Sequence, residues 1–378
     1  MSRALKAGLA TREAFGKALA ELGKSNPNVV ALDADLSKST FSVTFAKEFP
    51  DRFFQCGIAE SNMVAIGAGL ATAGKIPFVS SFSVFVLNKG FEQLRVTAAY
   101  PNVNLKVVGT HSGISIGEDG PSQMSVEDLS LACSLPGFVV LCPADEAATM
   151  ALVRAAAEHK GPVFIRTGRP KAPIVHDSTQ KFEIGKAIKV AEGTDVTIAA
   201  TGLMVAEALL AADLLAAEGI SARVLDFHTI KPLDREAIAS AASETGAIVV
   251  AEEHLVDSGL GVRIAQVVGE VGPVPMAFVG VENTYAESGT PDELLDKYGL
   301  RAKNIAAAVR GVHGKNAARQ AGRVLHDQVG SSLAAAALQL QLVKMDHASA
   351  APAVGDALAH LDGALNAVRE VSQKLLGR

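Results

Sequence analysis

A carboxylate, a pair of aromatic rings and an acidic loop are the residue types in this sequence that could do chemistry together. Glu60 lies in GIAESNM (57–63), where it begins a predicted helix and is favoured by the helix dipole. SFSVF (81–85) places two phenylalanines after a predicted strand, and GEDGP (117–121) is an acidic loop after the next strand. Each segment alone would also fit an ordinary helix start, core or turn. Because parallel α/β sheets bind ligands beyond the carboxyl ends of their strands, the three segments together predict one site.

The elements that must position these loops follow from the apolar pattern. Short apolar runs alternate with helical stretches from residue 11 to about 167, which is typical of strands buried on both faces of a parallel sheet. The predicted strands are NVVALD (28–33), IPFVSSF (76–82), NLKVVGT (104–110), FVVLCP (138–143) and PVFIRT (162–167). This alternation predicts a doubly wound α/β domain over residues 1–168.

A second, smaller doubly wound α/β domain is predicted over residues 195–311, where strand-like and helical runs alternate again. The prolines and polar residues of 169–194 predict a linker between the two domains. Residues 316–378 contain no strand pattern, and their apolar residues recur every three or four positions on either side of a break at 347–352. That spacing predicts an α-helical hairpin, and since neither helix would be stable alone, we expect it to associate with a second copy.

Composition restricts the classes of partner. The formal net charge is −5, and lysines and arginines are scattered, which argues against nucleic acid or a membrane surface as the partner. Uninterrupted apolar runs are too short to cross a bilayer. The three cysteines (Cys56, Cys133 and Cys142) form no CxxC pair, so neither a disulfide scaffold nor a thiolate metal site is expected. We expect a cytoplasmic protein whose own residues hold no metal.

Residues 10 to about 310 resemble the C-terminal half of transketolase, which consists of its pyrimidine-binding domain and its C-terminal domain. The segments that carry the resemblance occur in the family's order and at compatible intervals: TRE (11–13), DLSKS (35–39), GIAESNM, SFSVF, GEDGP and EEHLVDSGLG (252–261). The resemblance implies thiamine diphosphate as the cofactor. It also implies transfer of a two-carbon ketol unit from a ketose phosphate to an aldose phosphate.

The resemblance assigns roles at the cofactor. Glu60 would bond to the aminopyrimidine ring and activate the cofactor, which requires apolar surroundings that raise the pKa of this carboxyl. Phe85 would stack on the pyrimidine ring, and Phe82 and Leu36 would line the same pocket. Without the neighbouring motifs, the two phenylalanines would be read as core residues.

The resemblance also implies a substrate site. His111 and Asp119 would contact the hydroxyl-bearing carbons. A terminal phosphate would be bound by Arg12, Ser39 and Arg166, since a guanidinium can bind phosphate through two hydrogen bonds.

Two departures from the transketolase pattern change what is expected. Transketolases usually have a histidine four residues after this aspartate, but this chain has Gln123, which can hydrogen-bond to a hydroxyl and cannot titrate near pH 7. The usual sugar-phosphate specificity therefore stays open. The second departure is the absence of the GDG…N motif that holds the diphosphate and its divalent metal. We expect a complementary subunit to supply that motif and to hold the metal (Mg²⁺), as in transketolases encoded as two chains.

The tail has a resemblance of its own. Residues 323–346 resemble the phosphoacceptor helix of bacterial sensor histidine kinases, with His326 as the phosphoacceptor. The apolar rows favour the alternative, a dimerising hairpin in which His326 has no role.

Other functions stay open beside the transketolase one. A related thiamine enzyme would be deoxyxylulose-phosphate-synthase-like or the beta subunit of a 2-oxo-acid dehydrogenase, although GEDGP followed by SQ is closer to transketolase. A hypothesis of another class is a signalling scaffold built on a degenerate enzyme half. The presence of Glu60, Phe85 and Asp119 together argues against degeneration.

Overall fold

The computed structural model describes residues 3–346 and 351–376, which form two compact units, Met1–Arg310 and Gly311–Arg378. The strands are β1 (Ala7–Ala10), β2 (Val29–Asp33), β3 (Phe53–Gln55), β4 (Ile76–Phe82), β5 (Lys106–Thr110), β6 (Val139–Leu141), β7 (Val163–Arg166), β8 (Lys171–Pro173), β9 (Ile188–Ala191), β10 (Val196–Ala200), β11 (Ala222–Asp226), β12 (Thr229–Lys231), β13 (Ile248–Leu255) and β14 (Met276–Val281).

Helices alternate with these strands. They are α1 (Thr11–Ser25), α2 (Ser37–Thr40), α3 (Val43–Glu48), α4 (Glu60–Thr72), α5 (Ser83–Asn88), α6 (Phe91–Gln93), α7 (Asp128–Ser134), α8 (Glu146–Glu158), α9 (Met204–Ala216), α10 (Arg235–Glu244), α11 (Leu260–Val271), α12 (Pro291–Lys297), α13 (Ala302–Val324), α14 (Gly330–Asp346) and α15 (Ala351–Leu376). A 3₁₀ turn covers Pro50–Arg52, and π-helical turns cover Leu94–Ala99 and Leu325–Val329.

The first sheet has the strand order β12-β6-β7-β5-β4-β2-β3. All its pairs are parallel except β12 with β6. Successive residues of β4 face opposite sides: Phe78 packs with Phe15 of α1 in one core cluster, and Val79 packs with Val64 of α4 in the other. The central strands are therefore buried on both faces, as their uninterrupted apolar runs predict.

The second sheet has the order β14-β13-β10-β11-β9, with β9 antiparallel to β11 and the other pairs parallel. The predicted fold class, two α/β domains with a helical hairpin, is confirmed.

Three short strands do not follow the predicted division of the chain. The segment predicted as a linker, 169–194, contains β8, which pairs with β1, and β9, which forms an edge of the second sheet. β12 lies in the second block of sequence and extends the first sheet. These strands have three or four residues, too few to produce a recognisable strand period.

The second unit is helical. α14 and α15 pack on each other, and Gly322 of α13 lies against Ser372 and Leu375 of α15. The predicted break at 347–352 is partly tested: residues 347–350 lie outside the described residues, and α15 already begins at Ala351. Within the described ranges, no helix combines the length and apolar character that a membrane span requires.

Candidate functional site

The carboxyl ends of β4 and β5 bring three predicted site residues together. Phe82 ends β4, and His111 follows β5 directly. Their rings stack with 3.8 Å between centroids, and the Phe85 ring stacks on Phe82 at 5.6 Å with an interplanar angle of 8°. His111 has a φ of 57°, which is uncommon for a residue with a Cβ and is typical of functional sites. The two loops converge as expected for neighbouring parallel strands.

A lysine connects Glu60 to this aromatic stack. It is the first residue of α4 and is only 3% exposed. Lys89 places its Nζ 3.3 Å from both carboxylate oxygens of Glu60 and 4.6 Å from the centroid of the Phe85 ring. The expected surroundings of Glu60 were apolar, so this ammonium group is a difference from the prediction. The sequence offered one signal for Lys89, since it follows Phe85 by four residues, which is one helical turn.

Arg12 connects the aromatic stack to the DLSKS segment. Its Nη1 donates to the backbone oxygen of Ser39 (2.7 Å) and lies 3.0 Å from Nε2 of His111. Because a guanidinium only donates, Nε2 of His111 is the acceptor. Nδ1 therefore carries the proton and donates to Oγ1 of Thr110, 2.8 Å away. Burial, together with the charges of Arg12 and Arg169, lowers the pKa of His111 to about 3, so the ring is neutral.

Arg169 is a further candidate for the site, and it was not predicted from the sequence alone. It lies beyond the end of β7, contacts the backbone oxygen of Ile116, and pairs with Glu118 at 2.6 Å. Burial and the charge of Arg169 lower the pKa of Arg12, whereas the charge of Asp119 opposes this shift. These interactions place two guanidinium groups and an exposed carboxylate in one neighbourhood. The sequence does offer a signal for Arg169: it is the second arginine of RTGRP, and it follows the strand instead of belonging to it.

Arg166, which was predicted to bind the terminal phosphate, is paired with a carboxylate inside the protein. It is the last residue of β7 and is buried, and its Nε donates to Asp128 at 2.8 Å. Its Nη2 donates to the backbone oxygens of Ser125 (3.3 Å) and Glu253 (2.8 Å). These partners engage the guanidinium within the protein, and a role for Arg166 in binding the terminal phosphate stays a prediction.

The segment that contains Leu36 and Ser39 is held by a buried aspartate that the sequence alone did not indicate. Asp33 accepts hydrogen bonds from the backbone N–H of Leu36 (2.6 Å) and from the hydroxyls of Thr40 (2.7 Å) and Ser42 (2.9 Å). Burial outweighs these hydrogen bonds and raises the pKa of Asp33 to about 6. Asp33 thus fixes the start and the end of α2, the short helix that follows Leu36 and contains Ser39.

Gln123 lies in the turn that follows Asp119. Its backbone N–H donates to the oxygen of Gly120 at 3.1 Å, and its side-chain oxygen accepts from Ser122 at 2.5 Å. Asp119 is exposed and Gln123 is half-buried. Both side chains are thus placed at the rim of the site, within the loop that follows β5.

The arrangement fits the aminopyrimidine part of thiamine diphosphate. A flat ring needs an aromatic face and a hydrogen-bonding group at its edge, and the Phe85 ring beside the buried Glu60 carboxylate offers both. The ammonium group of Lys89 now occupies the face of the Phe85 ring, so this face can accept a group with positive character. Within residues 3–346 and 351–376, no group of three or more histidine, cysteine or acidic residues could hold a metal ion.

The chain is similar in sequence and in fold to known proteins. The family models for the transketolase pyrimidine-binding domain and the transketolase C-terminal domain match residues 7–174 and 185–305. A putative transketolase C-terminal section from Methanocaldococcus jannaschii is 43% identical over 79% of this chain and 94% of that protein. A 6-deoxy-6-sulfo-D-fructose transketolase subunit from Clostridium sp. is 42% identical over 80% of this chain and 94% of that subunit. A solved structure described as a split-gene transketolase, inactive beta4 tetramer, is 50% identical with a TM-score of 0.77, and the match covers 81% of this chain and 99% of that one.

Proposed function

Because the chain belongs to the transketolase family, we propose that it is the pyrimidine-binding subunit of a split transketolase. It would transfer a two-carbon ketol unit from a ketose to an aldose, with sugar phosphates as the substrate class and the cytoplasm as its location. The observation that carries this proposal is the buried Glu60 carboxylate beside the stacked rings of Phe85, Phe82 and His111.

The proposed mechanism gives each residue near the cofactor one task. Thiamine diphosphate, when bound, supplies the carbanion chemistry. Glu60 would share a proton with the ring nitrogen of the aminopyrimidine, and Phe85 would orient that ring. Phe82 and Leu36 would exclude water from the pocket. Lys89 would leave the face of Phe85, because the cofactor ring needs the same space.

The residues proposed to contact the substrate form two sets, one for its hydroxyls and one for its terminal anion. His111, Asp119 and Gln123 would hydrogen-bond to substrate hydroxyls. Arg12 and Arg169 would bind the terminal anion, since both guanidinium groups lie at the rim formed by the loops after β5 and β7. The relative named for 6-deoxy-6-sulfo-D-fructose supports an anion at this end, because a sulfonate carries a negative charge as a phosphate does.

A complementary subunit would supply the diphosphate-binding motif and hold Mg²⁺. The support comes from relatives described as a C-terminal section, as a subunit, and as an inactive beta4 tetramer of a split transketolase. Each description fits a chain that is one part of an enzyme, and about four-fifths of the present chain matches such relatives.

The tail would associate with a second copy of this chain. Leu338, Leu342 and Met345 follow one another at spacings of four and three, so they share one face of α14, and they are 60%, 54% and 81% exposed. An exposed apolar stripe of this kind is expected to pack against an apolar partner. The same stripe of a second hairpin would complete a four-helix bundle.

Charge favours an antiparallel pairing of the two hairpins. Arg319 and Arg323 lie near the end of α13, whereas Asp356 and Asp362 lie in the first half of α15. The contact of Gly322 with Ser372 puts these acids at the opposite end of the hairpin from the arginines. In an antiparallel pair, each basic end would meet the acidic end of the other copy.

The test of the proposed function is reconstitution. The purified chain with thiamine diphosphate and magnesium should neither turn over a ketose nor bind the cofactor tightly, and activity should appear when the complementary subunit is added. Glu60→Gln keeps the size of the side chain and removes only the acid, so it should abolish turnover in the complex. Glu21→Gln changes an exposed carboxylate paired with Arg154 and should leave turnover unchanged. Turnover by the chain alone, or by the Glu60→Gln complex, would refute the proposal.

A further inference from the structure

We propose that the second domain positions the substrate loop of the first, and that Glu253 is the residue through which it does so. The loop runs from His111 to Gly120, between β5 and the turn that carries Gln123. The inference rests on the proposed function, because it takes His111 and Asp119 to bind the substrate.

The side chain of Glu253 reaches the backbone of the loop at Gly113 and Ser115. It belongs to β13 of the second sheet and is only 4% exposed. Its Oε1 accepts a hydrogen bond from the backbone N–H of Ser115 at 2.6 Å. A Cβ added at Gly113, which has a φ of +79°, would lie 2.2 Å from Cδ of Glu253. The carboxylate therefore fills the space that a side chain at position 113 would need, and a buried carboxylate needs such a donor.

The same strand also holds the chain where the loop returns. The backbone N–H of Leu255 donates to the oxygen of Val126 at 2.9 Å. The backbone oxygen of Glu253 accepts from Arg166 at 2.8 Å, and Arg166 in turn pairs with Asp128. Both ends of the segment from residue 113 to residue 128 are thus fastened to β13.

A second contact from the same domain lies at the acidic part of the loop. A Cβ added at Gly117 would lie 2.9 Å from Cδ of Pro291, and one added at Gly120 would lie 2.4 Å from Oγ of Ser288. The 288–291 segment is itself fixed, because Thr290 forms a capping box with Glu293 at the start of α12. Asp119 lies between the two glycines, so the second domain approaches the backbone closely on both sides of it.

The structure contains a matched control for Glu253. Glu252, its neighbour on β13, is also buried and accepts from the backbone N–H groups of Leu260 (2.7 Å) and Gly261 (2.8 Å) of α11. These partners belong to the second domain, so shortening Glu252 changes a buried carboxylate without changing the loop.

The variants separate length from charge. Glu253→Asp keeps the charge and withdraws the carboxylate from Ser115 by one methylene, whereas Glu253→Gln keeps an acceptor oxygen within reach. In the full chain, Glu253→Asp should speed hydrogen–deuterium exchange of the 111–124 segment about tenfold, while Glu253→Gln and Glu252→Asp leave it close to wild type. In the complex with the complementary subunit, Glu253→Asp should raise KM for the ketose about ten- to hundred-fold, because a small displacement of binding groups is costly. Glu253→Gln should leave KM for the ketose close to the wild-type value.

Each result decides the inference. Unchanged exchange in Glu253→Asp would overturn it, and so would faster exchange with an unchanged KM, since Glu253 would then be only structural. If Glu253→Asp does not fold, Ser288→Leu serves instead: residue 288 is exposed, and a larger side chain there should push on Gly120 and raise both exchange and KM. An inactive wild-type complex would refute the proposed function, whereas the exchange comparison would still report whether Glu253 holds the loop.

Discussion

Arg12 and Arg166 should respond differently to the same substitution, because one guanidinium faces the substrate site and the other is buried. In Arg12→Met, the enzyme loses a charged donor to the terminal anion. A charge-assisted hydrogen bond contributes about 1.5–3 kcal/mol, so kcat/KM for phosphorylated sugars should fall roughly ten- to hundred-fold. Sugars without a phosphate should be affected much less.

Arg166→Met should act on stability. The substitution leaves the Asp128 carboxylate buried without the guanidinium that now lies 2.8 Å away. Removing one partner of a buried ion pair costs about 3–5 kcal/mol of unfolding free energy. Urea unfolding of the chain measures this cost, and steady-state kinetics of the complex with phosphorylated and unphosphorylated ketoses measure the substrate effect. A selective rise in KM for phosphorylated sugars in Arg166→Met, at unchanged stability, would refute the reasoning.

Three further predictions concern the tail and the buried histidine between the sheets. Truncation after Gly314 should leave turnover with the complementary subunit nearly unchanged and lower the oligomeric mass measured by light scattering; a large loss of turnover would make the tail part of the catalytic assembly. His326 should take no radiolabel from a cognate kinase at a physiological rate, and labelling would make the tail a signalling input. Burial opposes a charge on His176, but Asp145 and Asp226, at 3.3 and 3.2 Å, raise its pKa to about 9. Its ion pairs therefore stabilise the fold fully below about pH 6.5, and this stabilisation is lost as pH rises through about 9. Thermal unfolding measured across this pH range should show a smaller change of Tm with pH in His176→Gln than in the wild type.

The convergence of the candidate loops could be predicted because strand ends are visible in the sequence. Each apolar run is followed by its polar loop, and parallel pairing brings neighbouring loops together. Phe82 and His111 meet for this reason. The different contacts of Arg166 and Arg169 could not be predicted, because a strand's last residue and a loop residue three positions later look alike in sequence. Their partners differ in space: Arg166 meets Asp128, whereas Arg169 meets Glu118.

Contacts between distant segments could not be predicted in this way. Glu253 and Ser115 are separated by 138 positions, and no local pattern links a strand of the second domain to a loop of the first. The pairing of Glu60 with Lys89 depends on how α4 and α5 pack, which helical spacing alone does not determine. The tail was more predictable, because its apolar residues repeat with the period of a helix.

The tautomer of His111 fixes the polarity of any hydrogen bond that the ring makes to a sugar. Nε2 has only a lone pair to offer, so a substrate hydroxyl that replaces Arg12 there must be the donor. A deoxyfluoro analogue, whose fluorine can only accept, would therefore lose this contact, although it resembles the natural sugar in size. Since the neutral ring has a pKa of about 3, the pH–rate profile should contain no inflection near 6.5 from this histidine.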